Sequence, residues 1–437
     1  MEEKRKDKRE LTQKQLIIYR DFEYQDLFDD VCALFAPAGA DMRPDPFNCA
    51  NKLIELAVAY GFEGNLWHCF LAFCMANHEN AYSTSCEIVG DVGGTLGKLA
   101  NHDFEVFREM FAWDLKQLDE EKDGIWSLIK SYGSISGGSR KFNKRIRDRI
   151  VSLAASLEAT EDADSFQAAV TEFYREFGVG KFGLNKAFRI EGDSGDVSIE
   201  PITNVEHIFL EALVGYELQK EKLIRNTEAF IEGRAANNVL LYGDSGTGKS
   251  SSIKGILNKY YDRGLRIIEV YKHQFKCLSG ILEQIKDRNY KFIIYMDDLS
   301  FEEYEVEYKY LKAIIEGGLG KKPENVLIYA TSNRRHLIRE GFSDKRELSD
   351  DLHTNDTVQE KLSLVARFGV TIYFGAPEKR EFQQIVKALA ERYHIRIPEE
   401  ELFLEANRWE LSHGGLSGRT ASQFITYLLG NIKQEER

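Results

Sequence analysis

The sequence predicts an α/β protein with a parallel sheet, helices on both faces of the sheet, a C-terminal helical lid and an all-α N-terminal domain. One observation is a change of pattern near residue 200. Residues 11–175 carry apolar side chains at helical spacing, whereas short apolar segments alternate with helical segments after residue 205. A second observation is that only helical periodicity remains from residue 378 onward. Alternating strands and helices form parallel sheets, and ligands bind at the carboxyl ends of their strands.

The length of 437 residues is too great for one ordinary hydrophobic core, and 43% hydrophobic with 30% charged residues is typical of a folded protein. A turn-forming segment at residues 193–196 marks a boundary between two halves. We therefore expect four parts. They are a helical N-terminal domain (1–190), a linker (191–205), an α/β domain (206–376) and the lid (377–437).

The N-terminal half shows its helices through apolar spacing, as at Leu53, Leu56, Ala57 and Tyr60. Six cysteines are few for this length, which favours reduced, buried thiols over a disulfide framework. The first ten residues have no apolar segment behind their charges, and no later apolar run approaches the length of a membrane span. We expect a cytoplasmic protein without a membrane partner.

Nearly all of the net charge of −13 falls in the first 200 residues. An acidic surface repels a phosphate backbone, so sequence-independent binding of nucleic acid by this half is disfavoured, although local patches can differ from a net count. The basic run at residues 141–149 is the clearest such patch. It is either the solvated face of a helix or a binding surface.

The second half contains five predicted strands. They are the apolar segments 238–242, 266–270, 292–296, 326–330 and 370–374.

A phosphate-binding loop follows the first of these strands. Residues 243–250 read Gly-Asp-Ser-Gly-Thr-Gly-Lys-Ser, the complete G-x4-G-K-[ST] pattern, between a strand and a helical segment. Glycines let successive N–H groups surround a phosphate, Lys249 would reach the β- and γ-phosphates, and the Ser250 hydroxyl would bind Mg²⁺. The pattern predicts binding of ATP with Mg²⁺. The residues expected to contact the nucleotide here are Gly243, Asp244, Ser245, Gly246, Thr247, Gly248, Lys249, Ser250 and Ser251.

Two acidic residues follow the third predicted strand. Asp297, at the strand end, would complete the Mg²⁺ site with Ser250, and Asp298 would orient or deprotonate the attacking water. Acidic residues also follow strands for solubility alone, but the phosphate loop upstream favours the catalytic interpretation.

The order of these motifs and of three later ones resembles the AAA+ ATPases. In that family a polar residue after the next strand is the first sensor, which the resemblance assigns to Asn333; a helix cap is the alternative. The family's arginine finger, which acts on the nucleotide of a neighbouring subunit, matches Arg367. The second sensor, which contacts the γ-phosphate of its own subunit, matches Arg419.

Both arginines could instead form surface ion pairs, which contribute little to stability. Arg334 and Arg335 are the reserve candidates for the finger. The segment that packs against adenine in the family matches residues 208–217, with Val214 and Gly215 nearest the base.

The resemblance covers residues 201–430, and the wording of its segments is similar to that of a bacterial family of AAA+ ATP-binding proteins with a helical N-terminal domain and a domain of unknown function. It implies a homo-oligomer that hydrolyses ATP between subunits to load, remodel or recruit a protein partner. Two alternatives stay open: an ATP-gated scaffold with little hydrolysis, and a DNA- or helicase-loading ATPase.

The chain also departs from most members of the AAA+ family. Asp298 stands where most of these hydrolases have a longer Glu, which is compatible with slow turnover. The short connection between the second and third strands carries no aromatic-hydrophobic-Gly pore loop, and no hairpin insert precedes the fourth. Peptide threading and helicase action are therefore disfavoured. A charged insertion at 336–360 is expected to be a mobile loop or a subunit contact.

Overall fold

The computed structural model describes residues 13–36, 43–119, 124–133, 142–192, 197–203, 205–301, 305, 307–316, 323–334, 337 and 364–431. It divides into two compact units, Met1–Asn185 and Lys186–Arg437, and each is described by itself below. The predicted turn at 193–196 and, apart from Leu337, the insertion at 336–360 lie outside the described residues.

Helices make up the first unit where it is described. They are α1 (Gln25–Leu34), α2 (Pro46–Tyr60), α3 (Leu66–Asn77), α4 (Ala81–Val89), α5 (Gly94–Phe111), α6 (Ile125–Lys130), α7 (Lys144–Glu158), α8 (Ala163–Phe177) and α9 (Gly180–Leu184). Apolar side chains at helical spacing, such as Leu53, Leu56 and Ala57 of α2, are buried in one shared core.

Helix α3 is the centre of this core, because its residues 66–76 are buried on every side. Asn65 caps its first turn by accepting a hydrogen bond from the Trp67 N–H at 3.1 Å. The His68 ring, 4% exposed, has its Nε2 2.9 Å from the Phe111 carbonyl oxygen, which requires a proton on that nitrogen. Burial lowers the pKa of His68, although the nearby carboxylate of Glu158 opposes the shift.

Within the described residues, the sheet of the second unit has seven strands in the order β2-β1-β4-β5-β6-β3-β7. Their bounds are β1 Ala187–Glu191, β2 Ser198–Pro201, β3 Val239–Gly243, β4 Leu265–Glu269, β5 Lys291–Met296, β6 Val326–Ser332 and β7 Val370–Phe374. All neighbours are parallel except β1 and β2. The α/β fold class is confirmed, and the five predicted strands are β3 to β7.

The segment expected to be a linker, 191–205, differs from the prediction. It holds the last residue of β1 and all of β2, which pair as an antiparallel hairpin at the edge of the sheet. Burial alternates along β1, where Phe188 and Ile190 are buried and Arg189 and Glu191 are exposed. This alternation is the pattern of a strand with one buried and one solvated face.

The helices of the second unit, in the described residues, are α10 (Glu217–Ile231), α11 (Lys249–Tyr260), α12 (Leu278–Ile285), α13 (Glu307–Glu316), α14 (Lys379–Arg392), α15 (Glu399–Ser412) and α16 (Gly418–Asn431). The last three form the lid and bury their own core, which includes Phe382, Val386, Ala406 and Phe424. In the described part of the chain, none of the helices has both the length and the apolar character that crossing a bilayer requires.

Candidate nucleotide-binding site

The phosphate loop connects β3 to α11 and is built on three glycines with positive φ: Gly243 at 135°, Gly246 at 75° and Gly248 at 91°. A Cβ on Gly243 would lie only 2.0 Å from the carbonyl oxygen of Phe374, so no larger residue fits where β3 leaves the sheet. The loop ends at the N-terminus of α11, where free N–H groups and the helix dipole favour an anion.

Lys249, the first residue of α11, is 6% exposed and its ammonium points back into the loop. Its Nζ donates hydrogen bonds to the carbonyl oxygens of Gly243 at 2.9 Å and Asp244 at 2.6 Å. It also donates to Asn333 Oδ1 at 3.0 Å. Burial lowers the pKa of Lys249, and neighbouring carboxylates, with Asp244 the strongest, oppose this shift. A cation is therefore held inside the loop.

Ser250 and Asp297 meet at the carboxyl ends of the central strands, where the Ser250 hydroxyl donates to Asp297 Oδ1 at 2.7 Å. The Thr331 hydroxyl donates to the same carboxylate oxygen at 2.5 Å. Burial is the largest single influence on the pKa of Asp297 and acts to raise it, but these hydrogen bonds together hold it below its ordinary value. A hydroxyl and an ionised carboxylate are hard oxygen ligands, which fits Mg²⁺.

Asp298 has a left-handed backbone, with φ of 48°. Its carboxylate accepts a hydrogen bond from Asn333 Nδ2 at 2.7 Å. Since Lys249 can only donate and an ionised carboxylate can only accept, the amide of Asn333 has one orientation that satisfies both partners. Asn333 thus connects the phosphate loop to the acidic residues after β5.

The lid contacts the loop through Arg419 in the first turn of α16. The Arg419 N–H donates to the Gly246 carbonyl at 3.2 Å, and its guanidinium lies 3.4 Å from the Ser245 hydroxyl. A Cβ on Gly246 would lie 2.9 Å from the Cβ of Arg419, so the lid packs directly on the loop backbone.

A cavity of about 680 Å³ extends from the phosphate loop to the segment 212–216. At this second end Lys220 Nζ donates to the Leu213 carbonyl at 2.7 Å, and the Arg392 guanidinium of the lid donates to the Ala212 carbonyl at 2.6 Å. The predicted site residues that line the cavity are Val214, Gly215, Ser245, Gly246, Thr247, Gly248, Lys249, Ser250, Ser251, Asp297, Asp298, Asn333 and Arg419.

Four other predicted residues lie elsewhere. Gly243 is the last residue of β3 and packs against the backbone of Phe374. The Asp244 carboxylate accepts a hydrogen bond from the Ala376 N–H at 2.8 Å, beside the start of the lid. Arg367 and Arg334 are not among the described residues that line the cavity. Arg335 lies outside the described residues.

The sequence did not single out Lys220, Thr331 or Arg392, although all three line the cavity. Lys220 and Arg392 are charged residues on helices and carry no local motif. Thr331 belongs to a polar strand end, and it is the only one of the three for which a sequence signal existed.

A phosphate loop that follows a strand of a parallel sheet, polar residues at the ends of two neighbouring strands and a helical lid on the loop define a P-loop nucleotide-binding module. Residues 184–432 match the family model described as "Protein of unknown function (DUF815)". This match spans more than half of the chain, and the chain belongs to that family.

Solved structures show more distant likenesses. A mutant of RuvB from Thermotoga maritima is 16% identical with a TM-score of 0.37, covering 51% of this chain and 66% of that one. PCH-2 from C. elegans is 18% identical with a TM-score of 0.37, covering 52% and 66%. The T. maritima RuvB Holliday junction branch migration motor is 15% identical with a TM-score of 0.32, covering 53% and 75%.

The chain thus spans slightly less than two thirds of the first two of these proteins. Because the TM-scores are low, the class assignment depends on the sheet, loop and lid of this chain alone.

Proposed function

We propose that the chain binds ATP with Mg²⁺ in the cavity beside the phosphate loop and hydrolyses it. One observation carries the proposal. A buried lysine, a serine–aspartate pair and an aspartate–asparagine pair converge on one loop, joined by hydrogen bonds of 2.7–3.0 Å. These are the groups that phosphoryl transfer to water requires.

Binding of the triphosphate would replace hydrogen bonds that the loop now makes with itself. Lys249 would exchange the carbonyl oxygens of Gly243 and Asp244 for phosphate oxygens, and the N–H groups at the start of α11 would surround the β-phosphate. Ser250 and Asp297 would hold Mg²⁺, which when bound neutralises charge on the phosphate oxygens.

Hydrolysis needs a positioned water molecule. Asp298 would accept a proton from this water as its oxygen forms a bond to the γ-phosphorus, and the bond from that phosphorus to the bridging oxygen breaks to release ADP. The Asn333 amide, 2.7 Å from the Asp298 carboxylate, would orient the same water. An aspartate reaches less far than a glutamate, so slow turnover is part of the proposal.

Two arginines complete the mechanism. Arg419 contacts Ser245 and Gly246 of its own loop and would bind the γ-phosphate of the same subunit. Arg367 would act on the nucleotide of a neighbouring subunit, which makes the active form a homo-oligomer. Hydrolysis would then shift the lid and drive the loading, remodelling or recruitment of a protein partner.

A cytoplasmic location is also part of the proposal. All six cysteines are buried free thiols, which suits a reducing compartment.

The test compares Lys249→Ala with Asp298→Asn, measuring affinity for a fluorescent ATP analogue and release of phosphate. Lys249→Ala should abolish binding, whereas Asp298→Asn should bind normally and lose turnover, because only Asp298 acts on the water. Lys254→Ala is the matched control: Lys254 lies on the same helix but forms an exposed ion pair with Glu206 at 2.9 Å, so its loss should change neither quantity.

Three outcomes separate the candidate functions. ATP affinity in Lys249→Ala equal to that of the parent would refute the phosphate-loop assignment. Tight binding by the parent with no phosphate release under any condition would indicate the ATP-gated scaffold. Turnover that appears only with DNA would indicate the DNA- or helicase-loading ATPase.

A further inference from the structure

Thr331 lies in β6 with its side chain 1% exposed, between the two acidic residues that follow β5. Its hydroxyl donates to Asp297 Oδ1 at 2.5 Å and accepts from the Asp298 N–H at 2.9 Å. A hydroxyl has one hydrogen, an ionised carboxylate can only accept, and an N–H can only donate. The hydroxyl hydrogen of Thr331 therefore points to the Asp297 carboxylate, and these two hydrogen bonds fix the side chain in one orientation.

The backbone of Thr331 holds the same segment from a second point. Its carbonyl oxygen accepts the Leu299 N–H at 2.7 Å. Two successive residues after β5, Asp298 and Leu299, are thus bonded to one residue of β6. This fixes Asp298 in its left-handed conformation, with φ of 48°, a region that residues other than glycine seldom adopt.

We propose that Thr331 is a positioning residue that sets the geometry of both acidic side chains of the site. It acts through Asp297, whose carboxylate it orients toward Ser250, and through Asp298, whose backbone it holds so that the carboxylate meets Asn333. The role of Thr331 rests on the proposed ATP hydrolysis and names a residue that the motifs of the sequence leave without a function.

A purely structural explanation is that Thr331 satisfies buried polar groups and contributes only to folding. The two explanations differ in what the hydroxyl controls. A structural threonine changes the free energy of unfolding, whereas a positioning threonine also changes how nucleotide binding depends on Mg²⁺. Residues that orient metal ligands typically contribute 10–100-fold to metal affinity.

The experiment measures the affinity of the full chain for a fluorescent ATP analogue with Mg²⁺ and with EDTA, together with thermal unfolding. Thr331→Val has nearly the same shape but no hydroxyl, and Thr331→Ser keeps the hydroxyl. In Thr331→Val the gain in affinity that Mg²⁺ gives should fall about 10–100-fold, with affinity in EDTA unchanged. Thr331→Ser should keep most of the increase in affinity that Mg²⁺ gives the parent.

Tyr329→Phe is the matched control for loss of a buried hydroxyl on the same strand. The Tyr329 hydroxyl lies 2.8 Å from the Thr227 hydroxyl and does not line the cavity in the part of the chain that the structure describes. Tyr329→Phe should lower the unfolding temperature without changing the effect of Mg²⁺.

A double variant keeps the test decisive if the valine disturbs folding. Asp297→Asn alone should reduce the effect of Mg²⁺, and Thr331→Ala added to it should reduce that effect no further if Thr331 acts through Asp297. Additive losses, or a Thr331→Val protein with the parental effect of Mg²⁺, would overturn the role of Thr331 alone. A parent that shows no effect of Mg²⁺ on nucleotide binding would overturn the proposed function as well.

Discussion

Substitution of Gly246 by alanine tests whether ATP affinity depends on the close packing of the lid against the phosphate loop. Gly246 has a φ of 75°, and a Cβ there would lie 2.9 Å from Arg419 Cβ and 3.0 Å from Ser417 Oγ. Ordinary contact begins near 3.4 Å, so the lid must move by about 0.5 Å. Arg419 Cβ is attached to the backbone of α16, and rotation of the side chain cannot relieve the contact.

The expected loss has two separable parts. A left-handed alanine costs about 1–2 kcal/mol, which lowers the unfolding temperature by roughly 2–4 °C per kcal/mol in a unit of this size. Displacement of Arg419 would weaken the bond to the γ-phosphate that we propose for it. A hydrogen bond to a charged group contributes about 1.5–3 kcal/mol, which corresponds to about a 10–150-fold loss of ATP affinity.

Gly264→Ala separates the two parts. Gly264 has a φ of 87° in the turn before β4, and a Cβ there would meet nothing within 4 Å. Both variants should unfold at lower temperature, but only Gly246→Ala should bind ATP weakly in a fluorescence titration. Equal ATP affinity in Gly246→Ala and the parent, or equal weakening in both variants, would refute the reasoning.

Two further predictions concern subunit contacts and the N-terminal unit. Arg367→Ala should bind ATP normally and lose about 10³–10⁵ in rate, and mixing it with Lys249→Ala subunits should restore some phosphate release; no recovery in mixed oligomers would exclude a finger that acts between subunits. His68 has a lowered pKa in the folded protein because burial disfavours its charge, so the unfolded chain binds the proton more readily and the stabilisation is complete above about pH 6.5 and lost as pH falls below it. His68→Gln keeps a donor for Phe111 and should lower the dependence of the unfolding temperature on pH between 7.5 and 5.5; parallel curves for variant and parent would contradict this.

Strands β3 to β6 could be predicted because each is a buried apolar run bounded by turn residues or helices. Such runs reflect burial on both faces and need no knowledge of their neighbours. The hairpin of β1 and β2 was not predicted from the sequence, because these strands are short and depend on a partner that is distant in sequence. β2 has only four residues, and β1 is stabilised by pairing with β4, where Phe188 lies opposite Ile268, 80 residues later (268 − 188). No local pattern reports that partner.

The phosphate loop could be predicted down to single residues because its chemistry depends on backbone conformation and on contacts between near neighbours. Lys249, for example, bonds to carbonyl oxygens only five and six residues away. The end of the cavity at residues 212–216 depends instead on contacts between residues that are distant in sequence. Arg392 reaches the Ala212 carbonyl across 180 residues of sequence, so its role depends on how the lid packs.

Thr331 was not singled out from the sequence because the predicted end of its strand was two residues too early. The sequence placed the end of this strand at residue 330, which put Thr331 in a polar loop. The strand continues to Ser332, and Thr331 pairs with Leu241 of β3. A hydroxyl in a loop can turn to water, whereas one inside a sheet must find fixed partners, since an unpaired buried polar group costs about 1–3 kcal/mol. The pairing with β3 therefore commits this hydroxyl to the acidic residues of the neighbouring strand.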